Sequence, residues 1–134
     1  TDALKKYSDT TSVIFLEESL HGDKLKTARR LFTEKIITSL PDVIITSNDL
    51  IAQGIISAAH ENGINIPNDM QITGFDDSLS SAYFIPSVTT VSQNIDELAK
   101  RCFSMLMDLI NKKSSVSSII EQNIIARNSA KINI

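Results

Sequence analysis

The 134-residue chain reads as an α/β protein, a parallel sheet flanked by helices, and three observations carry that reading. The apolar runs "SVIFLEE", "VIIT" and "MQITGF" lack polar alternation, the pattern of strands covered on both faces. Between them, apolar residues recur every three or four positions, which is the period of a helix. The connections are short, and strand, helix, strand, helix, strand in that order is how a parallel sheet with right-handed crossovers appears in sequence.

Each element has its own warrant. Ser12 to Glu18 is β-branched and aromatic and ends in carboxylates, as a buried strand does. The next segment spaces Leu25, Ala28, Leu31, Phe32 and Ile36 along one helical face. Asp23 stands where a cap belongs, and Lys26, Arg29 and Arg30 fall on the solvated side. Pro41 blocks continuation, and "VIIT" follows as a second strand. Leu50, Ile51, Ile55, Ala58 and Ala59 then mark a second helix, closed at Gly63 where a left-handed residue is needed. After the strand in "MQITGF" comes an irregular segment carrying Tyr83, Phe84 and Ile85, apolar side chains on a loop and hence a contact surface. "VTTVSQ" is extended again. A strong helix over 94–112 follows, starting near Asn94 or Asp96 and ending at Lys112 and Lys113, and "SSIIEQNIIARNSA" closes the chain as an antiparallel edge.

Composition narrows the function. With 42% hydrophobic and 22% charged residues, the chain has the balance of one ordinary domain with its own core. A net charge of -3, without a run of basic residues, gives no footprint for phosphate backbones. Cys102 is the single cysteine, so no internal disulfide forms, and on an apolar helix face it reads as a small core residue. No secretory leader or membrane span is evident, which makes the expected location cytoplasmic. His21 and His60 are isolated, no Gly-rich phosphate loop occurs, and no metal or cofactor is expected.

The chemistry gathers at two strand ends. Ligands of parallel sheets bind beyond the carboxyl ends of the strands, and Asn48 and Asp76 each lie just past such an end. An amide that donates and accepts, beside a carboxylate that accepts from two hydroxyls, suits a polyhydroxylated or heterocyclic small molecule. Helix capping explains Ser47, Asn48 and Asp49 just as directly, and a turn explains Asp76; physical chemistry alone favours that plainer reading. Asp76 and Asp77 could instead serve as an acid/base pair, but no His, Lys or Cys nearby completes such a mechanism.

A longer pattern resolves the choice. From "PDVIITSNDLIAQG" through "NGINIPND", "ITGFDD", "AYFIPS" and "TTVSQ" to the helix beyond, the chain resembles the C-terminal half of the effector-binding core of the lac-repressor/gal-repressor (LacI/GalR) regulators. "HGDKLKTARRLF" and "EQNIIARNSA" are similar to the family's preceding helix and closing strand. The resemblance implies the C-terminal subdomain of a periplasmic-binding-protein-like (type I) fold. Residues 1–134 would be part of an effector-binding and dimerisation domain, with the helix-turn-helix and first subdomain outside them.

By that resemblance Asn48 and Asp76 contact a sugar-like effector, and Ser19 and Gln93 line the cleft. A serine at position 19, where the family often places a larger apolar side chain, puts stacking on the ligand in doubt. Capping is then left to Ser47 and Asp49. Gln53, Ile56, Tyr83, Phe84 and Ile85 face a homodimer partner. The helix over 94–112 is expected to keep an orphaned apolar face, to be buried by another copy or swapped between chains. Operator DNA would be reached only through the parent protein's N-terminal domain, and neither membrane nor catalysis is implied. The alternatives are a sugar-binding transport or receptor protein of the same fold and an enzyme using its carboxylates.

Overall fold

A computed structural model of the protein describes residues 22–114 and 116–132. The expected first strand, Ser12 to Glu18, and the candidate Ser19 lie outside the described residues. Helix α1, Lys24–Leu31, starts where the sequence places it, with the Asp23 carboxylate accepting the Lys26 amide at 3.0 Å. A π-helical turn, Phe32–Ile36, continues it, closed by Ile37 N–H to Phe32 O at 3.0 Å. Ala28, Leu31, Phe32 and Ile36 are buried, the stripe that the three-and-four spacing requires.

Strand β1, Val43–Ile45, pairs in parallel with β2, Gln71–Thr73, with Ile44 opposite Ile72. Between them runs α2, Asp49–Glu61. Its carboxyl end is turned by Gly63 at φ +73°, with Ile64 N–H reaching Ala59 O at 2.9 Å and Gly63 N–H reaching His60 O at 3.1 Å. That pair of reversed bonds satisfies carbonyls the helix would otherwise leave open, and Ile64 packs on the core. The core lies between α1, α2 and one face of this pair, centred on Phe32, Ile55, Ile56, Met70, Ile72 and Val88. Burying one such large side chain contributes roughly 1.5–3 kcal/mol. β1 does not have the two covered faces expected of it: Ile44 packs inward, but Val43 and Ile45 are exposed.

Short helix α3, Leu79–Tyr83, occupies the segment read as irregular. Strand β3, Thr90–Ser92, pairs antiparallel with β4, Asn123–Ile125, the closing edge the sequence suggests. The two ladders are joined by a parallel bridge between Thr73 and Thr89, with Gly74 N–H to Thr89 O at 2.8 Å and Asp76 N–H to Val91 O at 3.0 Å. Between β3 and β4 lies α4, Ile95–Ile110, which has no buried residue. Phe103, Leu106, Leu109 and Ile110 stand exposed, so the expected unpartnered apolar face is present. Cys102 shares that exposure and is not a core residue, because the helix face bearing it is covered by none of the described residues. No helix among the described residues is long and apolar enough to cross a membrane.

Arg29 is not simply solvated. Its guanidinium bonds Ser57 Oγ and grips both Glu61 oxygens at 2.7 and 2.6 Å, tying α1 to α2. Glu61 is more than half exposed, so water screens the pair. Glu61→Gln is therefore expected to lower stability by less than about 1 kcal/mol, read from the urea midpoint. A loss of several kcal/mol would show that the pair does more than fasten a surface.

Candidate effector site

The strand ends meet as the parallel register requires. Thr46 N–H bonds Thr73 O at 3.0 Å and Asp49 N–H bonds Phe75 O at 2.9 Å, so the chain leaving β1 and the chain leaving β2 run side by side. Asn48 stands at the first of these exits and Asp76 at the second. The Asn48 side chain is itself the cap of α2: its Oδ1 accepts Ile51 N–H at 3.0 Å. The cap expected of Ser47 and Asp49 is thus supplied by Asn48. Asn48 has the extended backbone, φ -162° and ψ 166°, that aims a cap oxygen at the first turn.

Asp49 has another task. It is 1% exposed, its Oδ2 accepts Ser78 N–H at 2.6 Å and its Oδ1 accepts the Thr90 hydroxyl at 2.6 Å. Its position in the first turn of α2 adds the favourable end of the helix dipole. One carboxylate thus joins the start of α2 to the turn after β2 and to the start of β3.

That turn is strained. Asp76 has φ +102° and Asp77 φ +52°, two consecutive non-glycine residues in the left-handed half of backbone space. Such residues cost on the order of 1–3 kcal/mol each and persist where surroundings hold them. Here the holders are visible. Thr90 Oγ1 accepts Asp77 N–H at 3.4 Å while donating to Asp49, and Arg127 bonds Asp77 Oδ1 at 2.6 Å. Gln93 Nε2 donates to Asp76 Oδ1 at 2.5 Å. Asp76 and Asp77 therefore have separate partners. Among the described residues no three His, Cys, Asp or Glu side chains gather as a metal site.

An open cleft of about 240 Å³ lies in front of this turn, lined by Asp76, Asp77, Ser92, Asn94, Ile95 and Asp96. The structure thus brings Asp76 and Gln93 together and sets Asn48 at the neighbouring strand exit, although neither Gln93 nor Asn48 is among the residues that line the cleft. Thr90 and Arg127 carry no signal in the sequence, and Asp49 reads there only as a capping or first-turn residue. Their roles depend on partners 29 to 50 residues away, which no local pattern reports.

The residues expected at a dimer surface divide. Tyr83 and Ile85 are 78% and 89% exposed and available to a partner. Gln53 and Ile56 are not, at 4% and 1% exposure. Ile56 is core, and Gln53 donates to Ser80 Oγ at 2.8 Å beneath α3. Phe84 is half-buried against the same core, since the turn that exposes its neighbours folds it inward.

A parallel strand pair covered by helices on one face, with amide and carboxylate side chains at its carboxyl edge, has the architecture of a periplasmic-binding-protein-like lobe. The family model for the periplasmic binding protein-like domain matches residues 7–130. The HTH-type transcriptional repressor PurR of Pasteurella multocida is 35% identical over 95 residues, which are 69% of this chain and 28% of that protein. The periplasmic binding ribose operon repressor protein of Lactobacillus acidophilus superposes with a TM-score of 0.76 at 30% identity, over 87% of this chain and 44% of that one. A LacI family transcriptional regulator from Enterococcus faecium, solved with bound ribose, gives a TM-score of 0.72 at 26% identity, over 79% and 40%. The chain belongs to the periplasmic binding protein-like domain family, in its LacI-type branch. It spans about a quarter of the length of the curated relatives it matches.

Proposed function

We propose that this chain is the ligand-sensing and dimerisation part of a cytoplasmic LacI-type transcriptional regulator. Its ligand is a sugar or sugar derivative, and binding changes the operator affinity of the parent protein. The observation that carries the reading is the bond between Gln93 and Asp76, the latter lining the cleft, one strand away from Asn48. Asp76 offers its carboxylate to ligand hydroxyls, and the Asn48 amide, whose Oδ1 is committed to the cap, offers its Nδ2 as donor. Ser19 completes this side of the site on the strength of the family resemblance alone.

Related proteins support the class of ligand and the mode of action. The Enterococcus faecium regulator holds ribose, and a lac repressor was solved as a dimer bound to operator. Tyr83 and Ile85 are the side chains offered to a second copy. The effector acts through a coupling free energy: it binds one arrangement of the parent protein better than the other and shifts operator affinity by that difference.

The two tasks of Asn48 can be separated by substitution. Asn48→Asp keeps an oxygen for the cap and removes the amide donor, whereas Asn48→Ala removes both. In the parent protein, Asn48→Asp is expected to change thermal stability little and to weaken effector-dependent operator release by at least about tenfold, the equivalent of one lost polar contact. Asn48→Ala should add a stability loss of about 1 kcal/mol. A screen of sugars, sugar phosphates and purines by thermal shift supplies the effector. Full response in Asn48→Asp would remove Asn48 from the site.

A further inference from the structure

We propose that Arg127 and Asp77 form a positioning pair that presents Asp76 to the effector, an inference that rests on the reading of Asp76 as an effector contact. Arg127 lies just beyond β4, far along the chain from the turn it serves. Its guanidinium has two partners, Asp77 Oδ1 at 2.6 Å and Val88 O at 2.9 Å. The pair is mostly buried, with side-chain exposures of 17% and 26%, so solvent competes weakly for either group.

The Arg127 side chain is not needed to fasten its own segment. Arg127 N–H already bonds Thr89 Oγ1 at 2.9 Å, the Thr89 hydroxyl donates to Arg127 O at 3.0 Å, and Ser129 N–H bonds Ser87 O at 2.9 Å. What the guanidinium adds is a hold on Asp77, whose φ of +52° sets the direction of the residue before it. Asp76, at φ +102°, is itself held by Val91 O and Gln93, and a fixed Asp77 adds a third restraint on that conformation.

The pair also divides two adjacent carboxylates by charge. Arg127 compensates Asp77, while among the described residues the Asp76 carboxylate has the neutral Gln93 amide as its partner. Of the two, Asp76 is the carboxylate with negative charge left for hydroxyl or amine donors in the cleft. The identical neighbours in "GFDD" thus acquire different roles, one turned to the ligand and one turned to the fold.

Amide hydrogen exchange on the full chain tests this without an effector. Asp76, Asp77 and Ser78 each donate their backbone N–H to a named acceptor, so their exchange reports the order of the turn. Arg127→Met is expected to speed exchange at these three amides by at least about tenfold relative to Ile55 and Ile56 in α2. Asp77→Asn, which tolerates positive φ and removes only the charge, should act in the same direction. Combining the two should add little to the larger single effect, as for partners in one interaction. Exchange that is unchanged, or that rises in step with Ile55 and Ile56, would overturn the proposal and leave the pair a general staple. Should Arg127→Met not fold, Asp77→Asn supplies the same comparison. A failed effector screen would not touch this result, and a failed exchange result would not by itself remove Asp76 from the effector site.

Discussion

Asp49→Ala is expected to lower stability by about 4 kcal/mol, because two hydrogen bonds to a buried charged acceptor, each contributing roughly 1.5–3 kcal/mol, disappear together. Ser78 N–H and the Thr90 hydroxyl would be left facing a small cavity. Domains of this kind hold a total of only about 5–15 kcal/mol, so the change should be plain in a denaturant titration. Asp49→Asn offers one carbonyl oxygen and turns an NH2 toward the other donor, so it should recover well under half of the loss. A cost below about 1 kcal/mol for Asp49→Ala would mean that water replaces the carboxylate at no penalty, contrary to its burial.

The loss should also reach the cleft. Thr90 is the one hydroxyl that both receives Asp77 N–H and donates to Asp49. Without Asp49 it is free to rotate, and the turn loses two of its ties at once. The strain at Asp76 and Asp77 is then released by relaxation of the backbone, which carries the Asp76 carboxylate away from Gln93.

What was legible in the sequence was what local chemistry determines. The start of α1 at Asp23, the stop of α2 at Gly63 and the parallel pairing of two short apolar runs depend on residues within a few positions of each other. The hidden part depends on distance along the chain. Asp49 reads as a dipole-favouring residue in a first turn, and nothing nearby announces that Ser78 and Thr90 will close over it. Gln53 and Ile56 read as surface by resemblance because a helix pattern does not reveal that α3 takes the Gln53 amide or that Ile56 joins the core. Cys102 failed for the opposite reason. Its helix has a core-like face, and the surface that would make it core is not among the described residues.

Asn48 shows a different limit. Cap and ligand contact compete as explanations in the sequence, yet they call on different atoms of one amide. Oδ1 serves the helix, and in the proposed function it is Nδ2 that would donate to the ligand. A residue type at a strand exit can therefore support both readings, and only the geometry of each atom separates them.

Gly74→Ala should destabilise about as strongly as loss of Asp49, and for a reason that can be isolated. A Cβ at this position would stand 2.1 Å from Asp49 Oδ1 and 3.1 Å from Val88 Cγ1, so either the carboxylate or the β2 exit must move. Asp49 cannot retreat cheaply, since Ser78 and Thr90 hold both of its oxygens. Overpacking of this sort costs typically about 1–3 kcal/mol, and breaking the carboxylate's bonds adds to it. The expected loss is therefore at least about 3 kcal/mol by denaturant titration. The shared cause predicts a coupling: in an Asp49→Ala background the obstructing oxygen is gone, and the further cost of Gly74→Ala should fall by about 1 kcal/mol or more. It should not fall to zero, because Val88 still crowds the new methyl. Strictly additive effects would show that Gly74 matters for its backbone alone and that the space it leaves is not there for Asp49.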